Sequence, residues 1–409
     1  GESLMQEIFF ERPYEFIPPY RGKFLPRLLR NMEMFRPHLR KHEGVESYEI
    51  RNADRLNKSV DDGCGVLLTP NHPRTADPVA LGWLAKQTNL LFYGMASAHL
   101  FHRGWLQSKL MQIMGAYSVY REGTDRQAIN VAIDAMATTE RPMVIFGEGT
   151  ATGSNDKLTE LMDGLSFIAR AAAKKREKTD QGKIVIHPVT FKYIFKGDLV
   201  ATAEPILSDI EDRLTFRRLP GASLLDRIDR VGHALLSLKE LEYFGEVRTG
   251  SYVERQKHLV EHLMRPIEEE WLGKVQTDGI VMRVKDVRMR IFPDIAHGKV
   301  DAEEKKRRYR QLEDTYLAQQ VTFHHPNYLT EEPTWERILE TIRRFDEDLT
   351  DHARVMRPWH VIIDVGEPIE VSSKRDKSLD HDPITREIQT VLNTRLTELS
   401  REGTPYRGE

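Results

Sequence analysis

The sequence predicts an α/β fold, in which a mixed, largely parallel sheet is flanked by helices and interrupted by a mainly helical insertion. Short apolar runs alternate with helical segments between residues 61 and 205, the pattern of a parallel sheet covered by helices. After residue 205 the pattern changes to leucines at helical spacing among many charges, and it returns to strand and helix after residue 355. We therefore expect one α/β domain that carries an insertion.

The composition narrows the classes of protein that the chain can represent. Its 409 residues carry 60 Lys and Arg against 63 Asp and Glu, a net charge of −3, which gives no reason to expect nucleic acid as a partner. Cys64 is the single cysteine, which excludes an intramolecular disulfide framework and a multi-cysteine zinc site. No stretch approaches the roughly 20 apolar residues of a transmembrane helix, so we expect no membrane span in this chain.

Apolar periodicity and turn residues assign the individual elements. In the α/β part the predicted strands are 65–70, 90–93, 116–120, 142–146 and 183–193, and the predicted helices are 78–86, 105–114, 125–137 and 158–175. Later in the chain we expect helices within 222–273 and at 305–320, 334–350 and 384–400, a strand at 360–365, and a strand or linker at 282–292. The chain thus divides into an N-terminal helical, basic amphipathic segment (1–60), the α/β domain (61–205 with 356–402) and the insertion (206–355).

The N-terminal segment has an amphipathic, basic character. Between residues 24 and 41, leucines, methionines and phenylalanines alternate with arginines and a lysine, while Pro26 and Pro37 limit the length of any regular helix. This pattern allows a helix on a membrane surface, although we favour a helix that is docked on the body of the protein with a solvated basic edge.

The sharpest local signal is Asn71-His72-Pro73-Arg74-Thr75-Ala76-Asp77-Pro78, which directly follows a predicted strand. His72 and Asp77 are five residues apart, which is the wrong spacing for one helix face and instead predicts a turn. Asp77 before Pro78 is typical of a helix N-cap followed by proline at the first helical position. Such a turn allows the imidazole to fold back on the carboxylate as a general-base dyad. The alternative is that Asp77 only caps the helix.

Three further segments lie at or within predicted strands. Phe146-Gly147-Glu148-Gly149-Thr150 puts a carboxylate between two glycines, where backbone N–H groups can approach a ligand closely. The run from Gly115 to Arg121 ends an apolar strand with an arginine that can clamp a phosphate or a carboxylate. Ile186-His187-Pro188-Val189 is a strand with a polar residue and a proline. Taken singly, these segments are better explained as an ordinary turn, a surface salt bridge and a strand edge.

Taken together and in this order, the four segments resemble the glycerolipid acyltransferases of the 1-acylglycerol-3-phosphate acyltransferase (PlsC-like) superfamily. That family carries Asn-His-x-x-x-x-Asp, a strand from Gly to Arg, Phe-Pro-Glu-Gly-Thr-Arg, and a Val-Pro-Val-type strand. The resemblance covers residues 60–205, and the strand before Gly366-Glu367-Pro368-Ile369 looks like the late strand and turn of the family. It implies the glycerol-3-phosphate acyltransferase-like α/β fold.

The resemblance also implies a function, the transfer of a fatty acyl group from acyl-CoA or an acylated carrier protein to a hydroxyl of a lysophospholipid or related glycerolipid. His72 is then the general base and Asp77 its orienting partner, while Arg121, Glu148-Gly149-Thr150 and Arg74 bind substrate. No covalent acyl-enzyme, no metal and no cofactor beyond the thioester co-substrate is implied. Because a lysolipid resides in the bilayer, we expect a cytoplasmic protein that associates peripherally with the membrane surface.

The departures from the family pattern concern substrate recognition rather than the dyad. Gly147 replaces the proline of the family motif, Ala151 replaces its arginine, and Met162-Asp163-Gly164 lacks the basic residue often found before that glycine. Two positive charges expected near an acceptor phosphate are therefore missing, so the acceptor need not be lysophosphatidate.

Two functions of other classes stay open at this point. A hydrolase would use water in place of the acceptor at the same dyad, and a non-catalytic lipid-binding or scaffold protein would act through the insertion. The pair His324-His325 has no accompanying cysteine or spaced ligand set, so we interpret it as structural rather than metal-binding.

Overall fold

One mixed sheet organises the protein. The computed structural model describes residues 13–408 except 180, 218, 326, 330–332, 377 and 380, and in that part of the chain the sheet has eight strands. They are β1 (Val45–Arg51), β2 (Gly65–Pro70), β3 (Tyr93–Ser97), β4 (Ala116–Val119), β5 (Met143–Val144), β6 (Ile184–Phe195), β7 (Trp359–Val365) and β8 (Ile369–Glu370). The order is β1-β7-β6-β2-β5-β3-β4, and β8 also pairs with β6. Among these pairs, β6 with β7 and β6 with β8 are antiparallel and the others are parallel, which confirms the predicted sheet.

Helices flank the sheet and fill the insertion. They are α1 (Phe24–Asn31), α2 (Arg36–Glu43), α3 (Ala53–Asp61), α4 (Asp77–Thr88), a 3-10 helix (Ala98–His102), α5 (Trp105–Ile113), α6 (Arg126–Ala137), α7 (Gly164–Glu177), α8 (Leu199–Arg213), α9 (Leu224–Phe244), α10 (Tyr252–Leu272), α11 (Ile280–Ala296), α12 (Ala302–Phe323), α13 (Trp335–Thr350) and α14 (Pro383–Ser400). Among the described residues, no helix combines the length and the apolar composition that crossing a bilayer requires.

Side-chain alternation along the strands divides the apolar core into two layers. Val66 and Leu68 of β2 pack into the layer that also holds α4 and α13, whereas Leu67 between them packs into the layer with α6, α7 and α14. Both faces of the central strands are therefore covered, as expected for a sheet with mostly parallel pairing.

The insertion contains two kinds of helix. Ile228 of α9 and Ile342 of α13 are buried in the first layer of the sheet core. Helices α10, α11 and α12 instead surround a separate apolar core, with Leu259, Val284 and Leu312 fully or almost fully buried. One part of the insertion is thus an extension of the sheet domain, and the other has a small core of its own.

The strand or linker predicted at 282–292 is wrong, since these residues lie in the middle of α11. Val284 and Ile291 are buried seven residues apart, which is two turns of a helix. The alternation of apolar and basic residues is misleading because Arg283 is itself buried, in an ion pair with Glu268 (2.8 Å).

The sequence also fails to predict β1. This strand lies within the segment 1–60 that was expected to be helical, and it pairs in parallel with β7. The helix expected over 24–41 divides into α1 and α2, with Pro37 in the first turn of α2, and the first twelve residues of the segment lie outside the described residues. Two boundaries also move, because the strand expected at 90–93 begins at Tyr93 and the helix expected from 158 begins at Gly164.

Parallel pairing aligns the carboxyl ends of β2, β3, β4 and β5 at one edge of the sheet. In α/β sheets, ligands bind in the crevice outside the carboxyl ends of the strands. The segments that follow β2, β4 and β5 carry the motifs singled out in the sequence, so the fold gathers these motifs at one place.

Candidate active site

The turn between β2 and α4 brings an imidazole and a carboxylate together. His72 Nδ1 lies 2.9 Å from Asp77 Oδ2; the Asp77 side chain is 0% exposed, whereas that of His72 is 14% exposed. A carboxylate that accepts a hydrogen bond from Nδ1–H fixes the tautomer in which Nε2 is the basic nitrogen. In the part of the chain that the structure describes, no group is hydrogen-bonded to Nε2. This nitrogen is therefore available to a substrate.

Two further donors hold the Asp77 carboxylate. The Arg74 backbone N–H donates to Oδ2 (2.8 Å), and Tyr193 Oη donates to Oδ1 (2.5 Å). The N-cap role expected for Asp77 is not observed, because α4 begins at Asp77 itself and no side chain caps it. The carboxylate instead turns back to the residues that precede the helix, and the helix start fixes its position.

Glu148 lies beneath this turn. Its Oε1 accepts the backbone N–H of His72 (2.6 Å), and its Oε2 accepts the backbone N–H and the hydroxyl of Thr159 (2.8 and 2.7 Å). Burial raises the pKa of the Glu148 carboxyl, although these hydrogen bonds oppose the rise. Both oxygens have partners within the protein, so these contacts indicate that Glu148 positions His72, and substrate binding by Glu148 stays a prediction.

The loop that follows Glu148 holds the other side of the His72 turn. The Thr152 N–H donates to the carbonyl of His72 (2.9 Å), and the Gly153 N–H donates to the carbonyl of Pro73 (3.0 Å). The backbone of His72 is thus bound at its N–H by a carboxylate and at its carbonyl by an amide. This double attachment explains why the imidazole has one orientation.

Two asparagines anchor these loops to β6. Asn71 exchanges two hydrogen bonds with the backbone of Phe191 (2.7 and 3.1 Å), and Asn155 does the same with Tyr193 (2.8 and 2.7 Å). β6 continues beyond the residues that pair with β2. There, the two buried side-chain amides form the hydrogen bonds with the β6 backbone that a neighbouring strand would otherwise form. The sequence does not indicate a role for Asn155 or Tyr193 in the site, because neither residue belongs to one of the four motifs.

Two glycines of the loop after β5 are required by close packing. Gly149 has a φ of +73°, and a Cβ added there would lie 2.5 Å from Met162 Cε. A Cβ at Gly147 would lie 2.8 Å from Leu165 Cδ2, so a larger residue such as the proline of the family motif would require the buried Leu165 side chain to shift. Gly147 therefore lets α7 pack closely against this loop.

Arg121 reaches the same loop from the end of β4. Its Nη2 donates to the carbonyl of Gly149 (2.6 Å). Burial, and then the nearby Arg288, lower the pKa of Arg121 to about 10, so the side chain keeps its positive charge at neutral pH. Thr150 is half-buried next to this contact. The structure thus brings Arg121, Gly149 and Thr150 together.

Arg74 faces the interior of the protein. Its guanidinium carbon lies 4.3 Å from the ring centroid of Tyr193 and 3.9 Å from that of Trp359, and Nη2 is 3.9 Å from Glu340 Oε1. The side chain is 5% exposed, and burial lowers its pKa. These contacts indicate a structural role in the turn, and substrate binding by Arg74 stays a prediction. Glu340 belongs to α13, so the insertion reaches the back of the site.

Within the described ranges, no three His, Cys, Asp or Glu side chains are grouped so that they could hold a metal ion. His324 Nε2 instead lies 2.8 Å from Asp348 Oδ2. The histidine is thus engaged in an intramolecular pair.

An imidazole held by a buried carboxylate at the carboxyl edge of an α/β sheet has the geometry that general-base chemistry on a hydroxyl or water needs. The acyltransferase family model matches residues 47–192, a range that contains every predicted site residue, and this match confirms the resemblance of that part of the chain to the PlsC-like glycerolipid acyltransferase family. No curated protein matches the chain significantly. This match supports acyltransferase activity in general, with an acyl donor and a lipid acceptor as the general substrates.

Proposed function

We propose that the protein transfers a fatty acyl group from acyl-CoA or an acylated carrier protein to a hydroxyl of a lysophospholipid or related glycerolipid. The orientation of His72 carries this proposal. Its Nδ1 is hydrogen-bonded to the buried Asp77, and its Nε2 has no hydrogen-bond partner among the described residues. Its backbone N–H and its carbonyl are both hydrogen-bonded as well. The family supplies the acyl chemistry, and the dyad supplies a base that can activate the acceptor.

In the proposed reaction, Nε2 of His72 takes the proton of the acceptor hydroxyl while the hydroxyl oxygen attacks the thioester carbonyl carbon. Asp77 stabilises the imidazolium that forms, since its carboxylate lies 2.9 Å from Nδ1. The tetrahedral intermediate then collapses, the C–S bond breaks, and the thiolate receives the proton from His72. The products are an ester and a free thiol. General-base catalysis of this kind contributes about 10²–10⁴ in rate.

Arg121 is proposed to orient a substrate beside the dyad. Its hydrogen bond to Gly149 uses Nη2, whereas a guanidinium carries five N–H donors. The remaining donors suit an oxyanion of the donor or of the acceptor. The glycine-rich loop provides the close approach that such an anion needs.

Release of free thiol from long-chain acyl-CoA and from acylated carrier protein, with and without lysophospholipid, tests this function. We expect acceptor-dependent release that His72→Ala reduces at least about 100-fold. His352→Ala is the matched control, because His352 is exposed and lies in the segment between α13 and β7. Release that His72→Ala abolishes but no acceptor accelerates would identify a hydrolase. Release from neither donor would contradict the proposal.

We also propose peripheral association with a membrane surface. Phe24 of α1 is 81% exposed and Trp105 of α5 is 76% exposed, and other large apolar side chains in or directly after these two helices are exposed as well: Leu28, Met32, Leu106 and Leu110. The Tyr20 N–H donates to the Gln112 carbonyl (3.2 Å), so the segment that leads to α1 contacts α5. Exposed lysines and arginines accompany these apolar side chains, namely Lys23, Arg27 and Lys109. Apolar and basic side chains together suit an anionic lipid surface.

A further inference from the structure

Helix α11 of the insertion lies against the loop that carries Glu148, Gly149 and Thr150. At its start, the Gly279 N–H donates to Glu160 Oε2 (3.0 Å). Val281 Cγ1 is 3.8 Å from the position that a Cβ on Gly149 would occupy. Two turns later, Arg288 Nη2 donates to Glu122 Oε1 (2.8 Å). These contacts fix which face of α11 is turned to the site.

Lys285 lies on that face. Val281, Lys285 and Arg288 follow the spacing i, i+4 and i+7, which places them in one row along a helix. The row lies next to Gly149 at one end, and Arg288 pairs with Glu122 at the other. The side chain between them is therefore directed towards the junction of Arg121 with the Gly149 carbonyl.

The charges at this junction are not balanced. Lys285 is half-buried and has no ion pair among the described residues. Burial lowers its pKa and the proximity of Arg121 lowers it further, while the adjacent Asp286 acts in the opposite direction. The other carboxylate nearby, Glu122, is engaged by Arg288. Cations held together in a partly buried place favour the binding of an anion.

We propose that Arg121, Lys285 and Arg288 form a cationic cluster in which the insertion completes a phosphate-binding site beside the dyad. The inference rests on the proposed function, since the phosphate belongs to one of the two substrates: the head group of the acceptor or the phosphates of CoA. Arginine and lysine are the side chains that bind phosphate oxygens best. The cluster also accounts for the neutral Ala151 and the acidic Asp163 at positions where the family has basic residues, because the positive charge comes from α11 instead.

Equilibrium binding of two probes without acyl chains, glycerol 3-phosphate and CoA, to the full chain tests the cluster independently of turnover. We expect Lys285→Met to weaken the binding of one probe by roughly 10- to 100-fold, the value of a charge-assisted hydrogen bond. Lys285→Arg is expected to retain binding. Arg290→Met is the matched control, because Arg290 lies on the same helix but is exposed and is not part of the row. The probe that responds identifies the acceptor or the donor as the source of the phosphate.

Kinetics with matched substrates then connects the cluster to the reaction. The ratio of KM for lysophosphatidate to KM for monoacylglycerol is expected to rise about 10-fold in Lys285→Met if the acceptor phosphate binds. The ratio for acyl-CoA to acyl-pantetheine is expected to rise instead if CoA binds. Equal probe binding in Lys285→Met and Arg290→Met, or no binding of either probe by the wild type, would overturn the inference. Probe binding that depends on Lys285 without any acyl transfer would refute the proposed function and leave the cluster standing.

Discussion

Tyr193 Oη donates a hydrogen bond to Asp77 Oδ1 at 2.5 Å, and the two residues are 116 positions apart in the chain. Burial, followed by the nearby Asp77 carboxylate, raises the pKa of Tyr193 well above its ordinary value, so the phenol stays a donor. Asp77 Oδ2 meanwhile faces His72. The carboxylate is thus held on one side by β6 and presents its other oxygen to the imidazole.

Tyr193→Phe is expected to lower kcat about 10-fold with less than a twofold change in KM, because the Asp77 carboxylate loses its anchor while the substrate contacts remain. The free energy of unfolding should fall by about 1–3 kcal/mol, the usual value for a hydrogen bond to a charged group. Steady-state kinetics and denaturant unfolding measure the two effects. Tyr117→Phe is the control, since this buried phenol donates to the backbone carbonyl of Ala128 away from the dyad. A kcat loss of equal size in both variants would contradict a positioning role for Tyr193.

Glu148→Gln is expected to reduce both stability and activity. The amide can accept from only one side, so either the His72 N–H or the Thr159 donors face an NH₂ group and lose their acceptor. The free energy of unfolding should fall by about 1–3 kcal/mol, and kcat should fall because the backbone of His72 shifts. Glu387→Gln, which changes an exposed carboxylate on α14, is the control. A rise in KM with unchanged stability would instead favour the predicted contact of Glu148 with substrate.

Glu340 is expected to make stability depend on pH. Burial raises the pKa of this carboxyl to about 7, from an ordinary value of 4.5. Because the folded pKa lies above the unfolded one, the stabilisation is complete below about pH 4.5 and is lost as the pH rises through 7. The free energy of unfolding of the wild type, measured relative to Glu340→Gln, should therefore fall by about 2–3 kcal/mol between pH 5 and pH 8. Parallel denaturation curves of the two proteins at each pH provide the measurement, and a constant difference would show that Glu340 does not titrate in this range.

Two double variants are each expected to weaken vesicle binding about 10-fold or more. One combines Phe24→Ser in α1 with Met32→Ser directly after it, and the other combines Trp105→Ser with Leu106→Ser in α5. Partial burial of such side chains in lipid contributes a fraction of the roughly 1.5–3 kcal/mol that full burial gives. Co-sedimentation with vesicles of phosphatidylcholine and phosphatidylglycerol measures the affinity. Phe167→Ser is the control, because Phe167 is also exposed but belongs to α7, which packs in the core layer with α6 and α14. Unchanged binding in both double variants would contradict the proposed association through α1 and α5.

The pairing of His72 with Asp77 is predictable from the sequence alone. Both residues lie in one short segment between a buried strand and a proline at a helix start, and local chain geometry limits where each side chain can go. The central strands are predictable for a similar reason, because short apolar runs next to turn residues have few alternatives. The edge strand β1 is not predictable in this way, since its exposed, charged residues form a strand only because β7 is beside them.

Only the tertiary structure decides which distant groups complete the site. Tyr193 reaches Asp77 because β6 pairs with β2 and extends beyond it, and Glu340 reaches Arg74 because α13 packs on the sheet. The position of Lys285 depends on how α11 docks on the loop after β5, whereas its sequence context predicted a strand or a linker. Local sequence thus determines short-range geometry, in which few backbone conformations are allowed. The distant residues that orient the site and add charged groups to it are brought there by long-range packing, which no single segment of the sequence encodes.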